Sequence, residues 1–542
     1  MELCSLAIAV TSIGIPILFS MFRFLPGYSL WSSRLNAILD QPLFGSRHRV
    51  PVLGNLGLMP TRGQSLFIGY LFLVNIFLLA LPLHTMLPSS RVDNATSHQI
   101  MVVGDRAGVI AFCLYVSLFL FSSRNNILIW LTGWSHGTYL LLHRWVAYLC
   151  IFQTVIHSIL LLHLYVESGE HAAESQLPYW YWGIVATLAT CLILPASLLP
   201  VRQKAYQVFL ATHQALVALT LIAAFLHIWY LFKYNWGYEI WIYVAGAIWF
   251  LDRALRLLRV AANGLRTAEV AIVDAESDLI RVDIDGITAD GHIYLYFPTL
   301  SWRFWESHPF SVVSSFSTPS GVADTAGSAD SRNESVSEHE KVATVTQTAV
   351  LQPADAVSSD PLASSPLITG PRVSVLIRPQ SGATAALLRR ARASNCLARL
   401  PVLVESSYHA NPAGHRLSHC STLVCIAGGV GITAVLPLAR AFGGVQARVF
   451  WSVKRDDAVR ALQPELKALR SAVHLETSIG KRLQVAEILR EELLREGDKG
   501  SVGVVVCGPA EMADDVRRVI GELVGSGQAR RGVVFVDEAF SW

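Results

Sequence analysis

The chain has 542 residues, of which 52% are hydrophobic and only 15% charged, with a formal net charge of +3 and a mean hydropathy of +0.43. Ordinary soluble domains carry about a quarter of their residues as charges, so a purely soluble protein is excluded, and the near-neutral balance gives no expectation of a nucleic-acid partner. Eight cysteines (Cys4, Cys113, Cys150, Cys191, Cys396, Cys420, Cys425, Cys507) show no metal-ligand spacing and imply no disulfide framework.

The first half contains apolar stretches near 4–22, 66–87, 107–121, 137–163, 179–199, 206–230 and 238–257, read as seven membrane helices, the third of them short. No basic residue precedes the first stretch and Arg23 follows it, which suits a retained helix with its N-terminus outside rather than a cleaved signal. Loop 23–65 carries Arg23, Arg34, Arg47, Arg49 and Arg62 against Asp40, and 200–205 carries Arg202 and Lys204; both are expected in the cytoplasm. The opposite face holds Glu167, Glu170, His171 and Glu174, together with the sequon Asn94-Ala95-Thr96, which only a lumenal position would allow to be glycosylated. Seven spans then place the C-terminal half inside.

His143 and His157 lie in the fourth stretch, and His213 and His227 in the sixth; both pairs read H-x13-H. Fourteen residues at about 100° and 1.5 Å each return the second imidazole to within ~40° of the first, about 21 Å along the axis. With 17 His in 542 residues, two such coincidences arise by chance at ~0.001. Two facing helices of this kind can ligate two haems stacked across the bilayer, His143 with His213 on the inner side and His157 with His227 on the outer. The other reading of an intramembrane histidine is a hydrogen bond to a neighbouring carbonyl. Arg144 has two readings as well: a partner for a haem propionate, or an interfacial cation reaching the headgroups.

After Arg259 short alternating strands begin (AEVAIVD, LIRVDID, HIYLYFP), which predict a small antiparallel barrel. His308-Pro309-Phe310-Ser311 follows; a hydroxyl beside an aromatic on a barrel strand can bond a flavin ring edge, although the run alone means little. Residues 316–369 are rich in Ser, Ala, Asp, Thr and Pro and read as a disordered insertion between two barrel strands. Gly382-Ala383-Thr384 then opens an amphipathic helix whose backbone N–H groups suit a diphosphate; an ordinary loop and helix cap is the other reading.

The remaining chain alternates strand and helix. STLVCIAGGVGITAVL gives an apolar strand, a turn through Gly428, Gly429 and Gly431, and a helix with Thr433 at its start. Lys454 and Arg455 follow the next strand, and Lys481 and Arg482 the third, at the carboxyl edge where a ribose 2′-phosphate could bind; solvated surface charge is the alternative. Cys507-Gly508-Pro509 ends the last expected strand, where the thiol reads either as part of a binding edge or as a buried core Cys, and Phe540 and Trp542 at the terminus could cover a flavin face.

These motifs, in this order, resemble the ferric reductase and NADPH oxidase superfamily, most closely its fungal-type ferric/cupric metalloreductases. The resemblance rests on both H-x13-H helices, the HPFS run, IR…SGAT at 377–384, AGGVGIT at 427–433, CGP at 507–509 and the terminal EAFSW. It implies a multi-domain membrane protein: a helical haem-binding domain over 1–258, a FAD-binding β-barrel over 262–410, and an α/β NADPH-binding domain with a parallel sheet over 418–542. It further implies flavin contacts from His308, Pro309, Phe310 and Ser311, with Gly382 and Thr384 at the FAD diphosphate. NADPH contacts would come from Gly428, Gly429, Gly431, Thr433, Cys507, Gly508 and Pro509, and the C-terminal aromatic would stack on the isoalloxazine. The chain departs from the family at Glu405-Ser406-Ser407-Tyr408-His409, where a Glu-Gly-Pro-Tyr-Gly-like turn is usual.

The activity implied is electron transfer from cytosolic NADPH through FAD and two b-type haems to Fe(III) or Cu(II) chelates outside a plasma membrane, in service of an iron or copper uptake permease. Glu167, Glu170, His171, Glu174 and His163 are candidate contacts for the metal ion, or plain solvated surface. A superoxide-generating NADPH oxidase is the alternative. Equal spacing of the two His pairs, short outer loops without Cys and the lack of a calcium-loop motif favour metal reduction. A haem sensor with vestigial nucleotide motifs is a third class.

Overall fold

The structure, a computed structural model, describes residues 2–22, 28–52, 57–81, 94–273, 276–316, 370–408, 416–495 and 500–538. The chain divides into two compact units, one of Met1–Tyr28 and Ile38–Leu255, the other of Ser29–Ala37 and Arg256–Trp542.

The first unit is built on long helices: α1 (Glu2–Met21), α2 (Arg62–Ala80), α3 (Ala95–Ser122), α4 (His136–Glu167), α5 (Pro178–Ala196), α6 (Tyr206–Phe232) and α7 (Glu239–Asn263), the last running on into the second unit. Among the described residues, α2 to α6 are long and apolar enough to cross a membrane. Of the two other expected spans, α1 has a shorter apolar stretch, Ser5–Met21, and α7 carries Asp252, Arg253, Arg256 and Arg259 along its second half.

Helix α3 corrects the expectation of a short third span. It starts at Ala95, where Asn94 caps it by accepting a hydrogen bond from Thr96 N at 2.8 Å. Its polar first part is sustained because Arg106 Nη1 donates to the carbonyls of Leu78, Leu79 and Leu81, which the end of α2 leaves without helical donors. A window of hydropathy alone misses such a segment. Tyr139, Leu142, Val146, Leu149, Cys150 and Gln153 recur at helical spacing on α4 and are buried. Helix α4 packs along α3, and α6 along α5.

The second unit opens with a closed antiparallel barrel of β1 (Leu265–Ile272), β2 (Ile280–Asp285), β3 (His292–Tyr296), β4 (Ser307–Phe316), β5 (Arg372–Ile377) and β6 (Leu397–Tyr408), in the order β1-β2-β5-β4-β3-β6. Alternation does the folding: Val270, Ile272, Val282, Ile284, Ile293, Leu295, Val373 and Val375 fill the interior. Strand β4 pairs directly with β5, so the insertion joins two adjacent strands; residues 317–369 themselves lie outside the described residues. Helix α8 (Gly382–Ala393) plugs the barrel with Leu387 and Ala391.

A parallel sheet follows: β7 (Cys420–Gly428), β8 (Gln446–Val453), β9 (Val473–Ile479), β10 (Ser501–Cys507) and β11 (Val533–Asp537), ordered β9-β8-β7-β10-β11. Strand β11 is an edge strand that the sequence reading did not separate from the terminus. The strand order reverses between β7 and β10, the switch point where doubly wound sheets bind ligands at their carboxyl ends.

Barrel and sheet are joined by a buried ion pair. Arg281 on β2 donates to both carboxylate oxygens of Glu465, at 2.7 and 3.1 Å, from a position where Glu465 has no exposed surface. Ser314 adds a hydrogen bond to Glu465 at 3.0 Å. Burial opposes both charges. Mutual attraction outweighs it, so the Glu465 carboxyl lies below its usual pKa and the Arg281 guanidinium above its own.

Candidate functional site

The four predicted histidines meet in two pairs. The ring centres of His143 and His213 are 6.3 Å apart, and those of His157 and His227 also 6.3 Å. An iron held between two imidazoles by bonds of about 2 Å would set the ring centres roughly 6 Å apart. Three of the rings are oriented by a backbone carbonyl on the neighbouring helix. His143 Nδ1 donates to Leu118 O at 2.9 Å, His157 Nδ1 to Gly104 O at 2.8 Å, and His227 Nδ1 to Tyr179 O at 2.8 Å. His213 Nδ1 lies 3.4 Å from Ser197 Oγ. Each of these contacts leaves Nε2 for a metal. The carbonyl reading and the ligand reading of these histidines therefore use different nitrogens of one ring.

Glycine makes the room. A Cβ on Gly108 would lie 2.7 Å from His157 Nδ1, and one on Gly183 2.9 Å from His227 Nδ1. The residues present thus fit a pair of bis-histidine haems.

A layer between the two pairs was missed in the sequence. Cys150 and Thr220 each sit seven residues from both histidines of their own helix, and both are buried. Thr190 of α5 reaches Thr220 at 3.5 Å, and Tyr115 of α3 interacts with both Thr190 and Cys150. Gln153, three residues beyond Cys150 on α4, is also buried, its Oε1 without a hydrogen-bond partner among the described residues. The midpoints of H-x6-C-x6-H and H-x6-T-x6-H were the available signal.

The candidate outer metal contacts do not converge. Glu174 accepts from Tyr179 Oη at 2.5 Å, His163 faces Glu167 at 3.8 Å, and His171 packs edge-on against Trp180. Among the described residues no group of three or more His, Cys, Asp or Glu is placed to hold a metal ion.

In the second unit, a pocket at the barrel rim is lined by Leu295, Phe297, Arg303, His308, Phe310 and Thr384, among others. His308 and Phe310 face it because they alternate with Pro309 and Ser311 along β4; Leu295 and Ile293 are their cross-strand partners. His308 Nε2 is 3.0 Å from Glu306 Oε1. Gly382 takes φ +61 where it opens α8, so the helix N-terminus and Thr384 border the same pocket. An apolar wall beside Arg303 and a helix N-terminus fits a flavin ring and its diphosphate. Ser311 is buried on the other face, opposite His292.

The departure at 405–408 is anchored by α7. Arg259 Nη1 donates to the carbonyls of Ser406 and Ser407, at 3.1 and 2.8 Å. Asn263 Nδ2 donates to Ser406 Oγ at 2.9 Å, and Ser407 Oγ accepts from Asp290 N at 3.1 Å. Both serine hydroxyls are thus used in holding the turn. His409 lies outside the described residues.

At the switch point, the glycines are fixed by close approach. A Cβ on Gly431 would fall 2.1 Å from Cys507 O, and one on Gly428 2.8 Å from Pro509 Cδ. Gly429 adopts φ +57, and its carbonyl accepts from the fully buried Trp451 Nε1 at 2.9 Å. Thr433 Oγ1 donates to Val430 O at 2.8 Å, and helix α9 (Ile432–Ala441) begins there. Gly508 and Pro509 lead into α10 (Ala510–Gly525) across the same crevice. Together they form a cradle that suits a pyrophosphate. Cys507 donates to Glu538 O at 3.3 Å, and burial pushes its thiol well above the usual range. Burial, then the adjacent Asp537, raise the Glu538 carboxyl to about 8.

Lys454, Lys481 and Arg482 are exposed at the carboxyl edge. Arg455 is turned aside to Glu276 O at 2.9 Å and Asp457 Oδ2 at 3.1 Å. Phe540 and Trp542 lie outside the described residues.

Residues 107–224 match the family model described as the ferric reductase like transmembrane component. This segment is therefore similar to a ferric reductase transmembrane component. His143, His157 and His213 fall inside the matched span, and His227 follows it within the same helix. Residues 263–324 match an FAD-binding domain, and this segment contains the HPFS strand. Among named relatives, the chain is 28% identical over 266 residues to ferric/cupric reductase transmembrane component 1 of Candida albicans, covering 48% of this chain and 34% of that one. It is 32% identical over 266 residues to ferric reductase transmembrane component 3 of Saccharomyces cerevisiae, covering 48% of this chain and 36% of that one. The chain thus spans little more than a third of the length of these curated relatives. Among solved structures, a ferredoxin reductase of a carbazole 1,9a-dioxygenase system covers 51% of this chain and 69% of its own, at 14% identity and a TM-score of 0.29.

Proposed function

We propose that this protein is a transmembrane ferric-chelate reductase, which moves electrons from cytosolic NADPH through FAD and two b-type haems to Fe(III) or Cu(II) chelates on the far side of the membrane. The observation that carries the reading is the pair of 6.3 Å imidazole separations stacked along two apolar helices. When bound, the flavin supplies the change from two-electron to one-electron transfer, and the two irons supply the one-electron relay.

The chain's own residues provide placement. The carbonyls of Leu118, Gly104 and Tyr179 hold the Nδ1 protons, so that Nε2 of His143, His157 and His227 stays aimed at a metal. His308, Phe310, Arg303, Gly382 and Thr384 would hold the flavin and its diphosphate at the barrel rim, with Pro309 and Ser311 fixing the strand. Gly428, Gly429, Gly431, Thr433, Cys507, Gly508 and Pro509 would take NADPH, while Lys454, Lys481 and Arg482 remain for a 2′-phosphate. In this reading the haem, flavin and NADPH regions are 1–258, 262–410 and 418–542. The protein sits in the plasma membrane with its N-terminus outside, and supplies a metal-uptake permease. The dispersed outer carboxylates and imidazoles suit an acceptor that visits rather than a resident ion.

Anaerobic addition of NADPH to the purified protein in nanodiscs tests the proposal. Two b-type haems per chain should become reduced after the flavin. A chain that holds one haem or none, or whose haems stay oxidised while the flavin bleaches, would refute it.

A further inference from the structure

The loop between β3 and β4 divides its side chains by direction. Arg303 and Glu306 line the flavin pocket, while Trp302, Phe304 and Trp305 point outward and are 76%, 62% and 50% exposed. The three rings form one cluster: Trp305 meets Trp302 edge-on at 5.5 Å and Phe304 at 5.0 Å. Arg303 lies over the Trp302 ring at 5.6 Å. Three large aromatic side chains held together in water forfeit substantial burial energy, which singles the cluster out as a contact surface.

Its chemistry is that of a bilayer interface. Exposed Trp and Phe suit the headgroup layer, where an indole buries its body and keeps its N–H wet. The same grouping recurs where α6 ends: Lys233 lies over Trp229 at 5.4 Å and over Tyr230 at 5.7 Å, beside exposed Tyr234 and Trp236. The barrel is also tethered. Helix α7 ends at Asn263 and β1 starts at Leu265, so a single residue links the barrel to the helical segment of a chain whose α2 to α6 can cross a membrane.

We propose that the Trp302–Phe304–Trp305 loop docks into the headgroup layer of that same membrane and so fixes the mouth of the flavin pocket against the bilayer. The proposal rests on the electron-transfer reading only for the benefit of this orientation; lipid contact stands apart from it.

The test uses the full chain in phosphatidylcholine/phosphatidylserine nanodiscs, with or without brominated acyl chains. The fluorescence of the W302F/W305F variant, subtracted from that of the native chain, isolates two indoles from the 14 tryptophans present. Docking predicts that brominated lipid quenches this difference spectrum. A difference spectrum that is unquenched and water-like, or blue-shifted yet unquenched because the loop lies against protein or a second copy, would overturn the proposal. In a second arm, W302S/F304S/W305S should slow haem reduction by NADPH about tenfold through lost orientation, with FAD content and the NADPH-to-flavin step at native values. Native haem rates in the triple variant would overturn the orienting role. Failure of the native chain to reduce its haems would instead strike the electron-transfer reading, and the quenching arm would still decide docking.

Discussion

The two units carry their candidate sites in opposite ways. In the helical unit the site is four residues of one type, repeated at one spacing, and the rest of the architecture serves to orient them. In the barrel-and-sheet unit it is spread over six segments, each of which means little alone, and its shape comes from backbone approaches such as Gly431 against Cys507. A helix converts sequence spacing directly into spatial placement. A crevice between strands does not, because its walls come from chain segments distant in sequence.

The largest effects should come from the histidines. His143→Ala or His213→Ala should remove the inner haem, and His157→Ala or His227→Ala the outer one, halving the haem-to-protein ratio by pyridine haemochrome and abolishing transmembrane reduction. If either substitution leaves two haems, the pairing is wrong.

A matched pair of glycine substitutions sharpens the contrast. Gly431→Ala drives a methyl into Cys507 O and should cost about 1–3 kcal/mol of local strain, lowering NADPH-driven flavin reduction by about 100-fold with haem content intact. Gly108→Ala crowds His157 and should lower outer-haem occupancy while flavin reduction by NADPH stays native. Stopped-flow flavin bleaching and haem quantitation on both variants would expose any cross-over, which would contradict the division.

The ion pair between barrel and sheet comes next. Glu465→Ala leaves Arg281 buried without its main partner, at about 3–5 kcal/mol, read as loss of thermal stability of the flavin-containing unit. Because the Glu465 pKa is lower folded than unfolded, its contribution is complete above the usual 4.5 and disappears as pH falls through the folded value. The native chain should therefore lose stability faster than the variant on acidification. Parallel acid profiles would refute this.

The smallest effect on the site is expected at Trp451→Phe, which deletes the N–H to Gly429 O and leaves a small cavity in the core. About 1 kcal/mol, or a several-fold rise in KM for NADPH at nearly constant kcat, would be the sign of a residue that positions the glycine turn.

Legibility followed the same division. Helix periods disclosed the His pairs, and alternation disclosed the barrel and the sheet strands up to β10. Hydropathy missed the start of α3, because Arg106 is satisfied by carbonyls at the end of α2, a contact no local window contains. The polar layer of Tyr115, Cys150, Thr190 and Thr220 draws on four helices, and only its Cys150 and Thr220 carry a sequence signal, as midpoints of the two His spacings. Arg455 looked equivalent to Lys454, and only the barrel's Glu276 carbonyl distinguishes them.

Sealed vesicles containing the protein, with NADPH on one face and an Fe(III) chelate on the other, test the central claim most directly. The account predicts chelate reduction that is indifferent to a superoxide scavenger and lost in the His143→Ala and His157→Ala variants. Reduction abolished by the scavenger, with oxygen consumed, would make dioxygen the acceptor and contradict it.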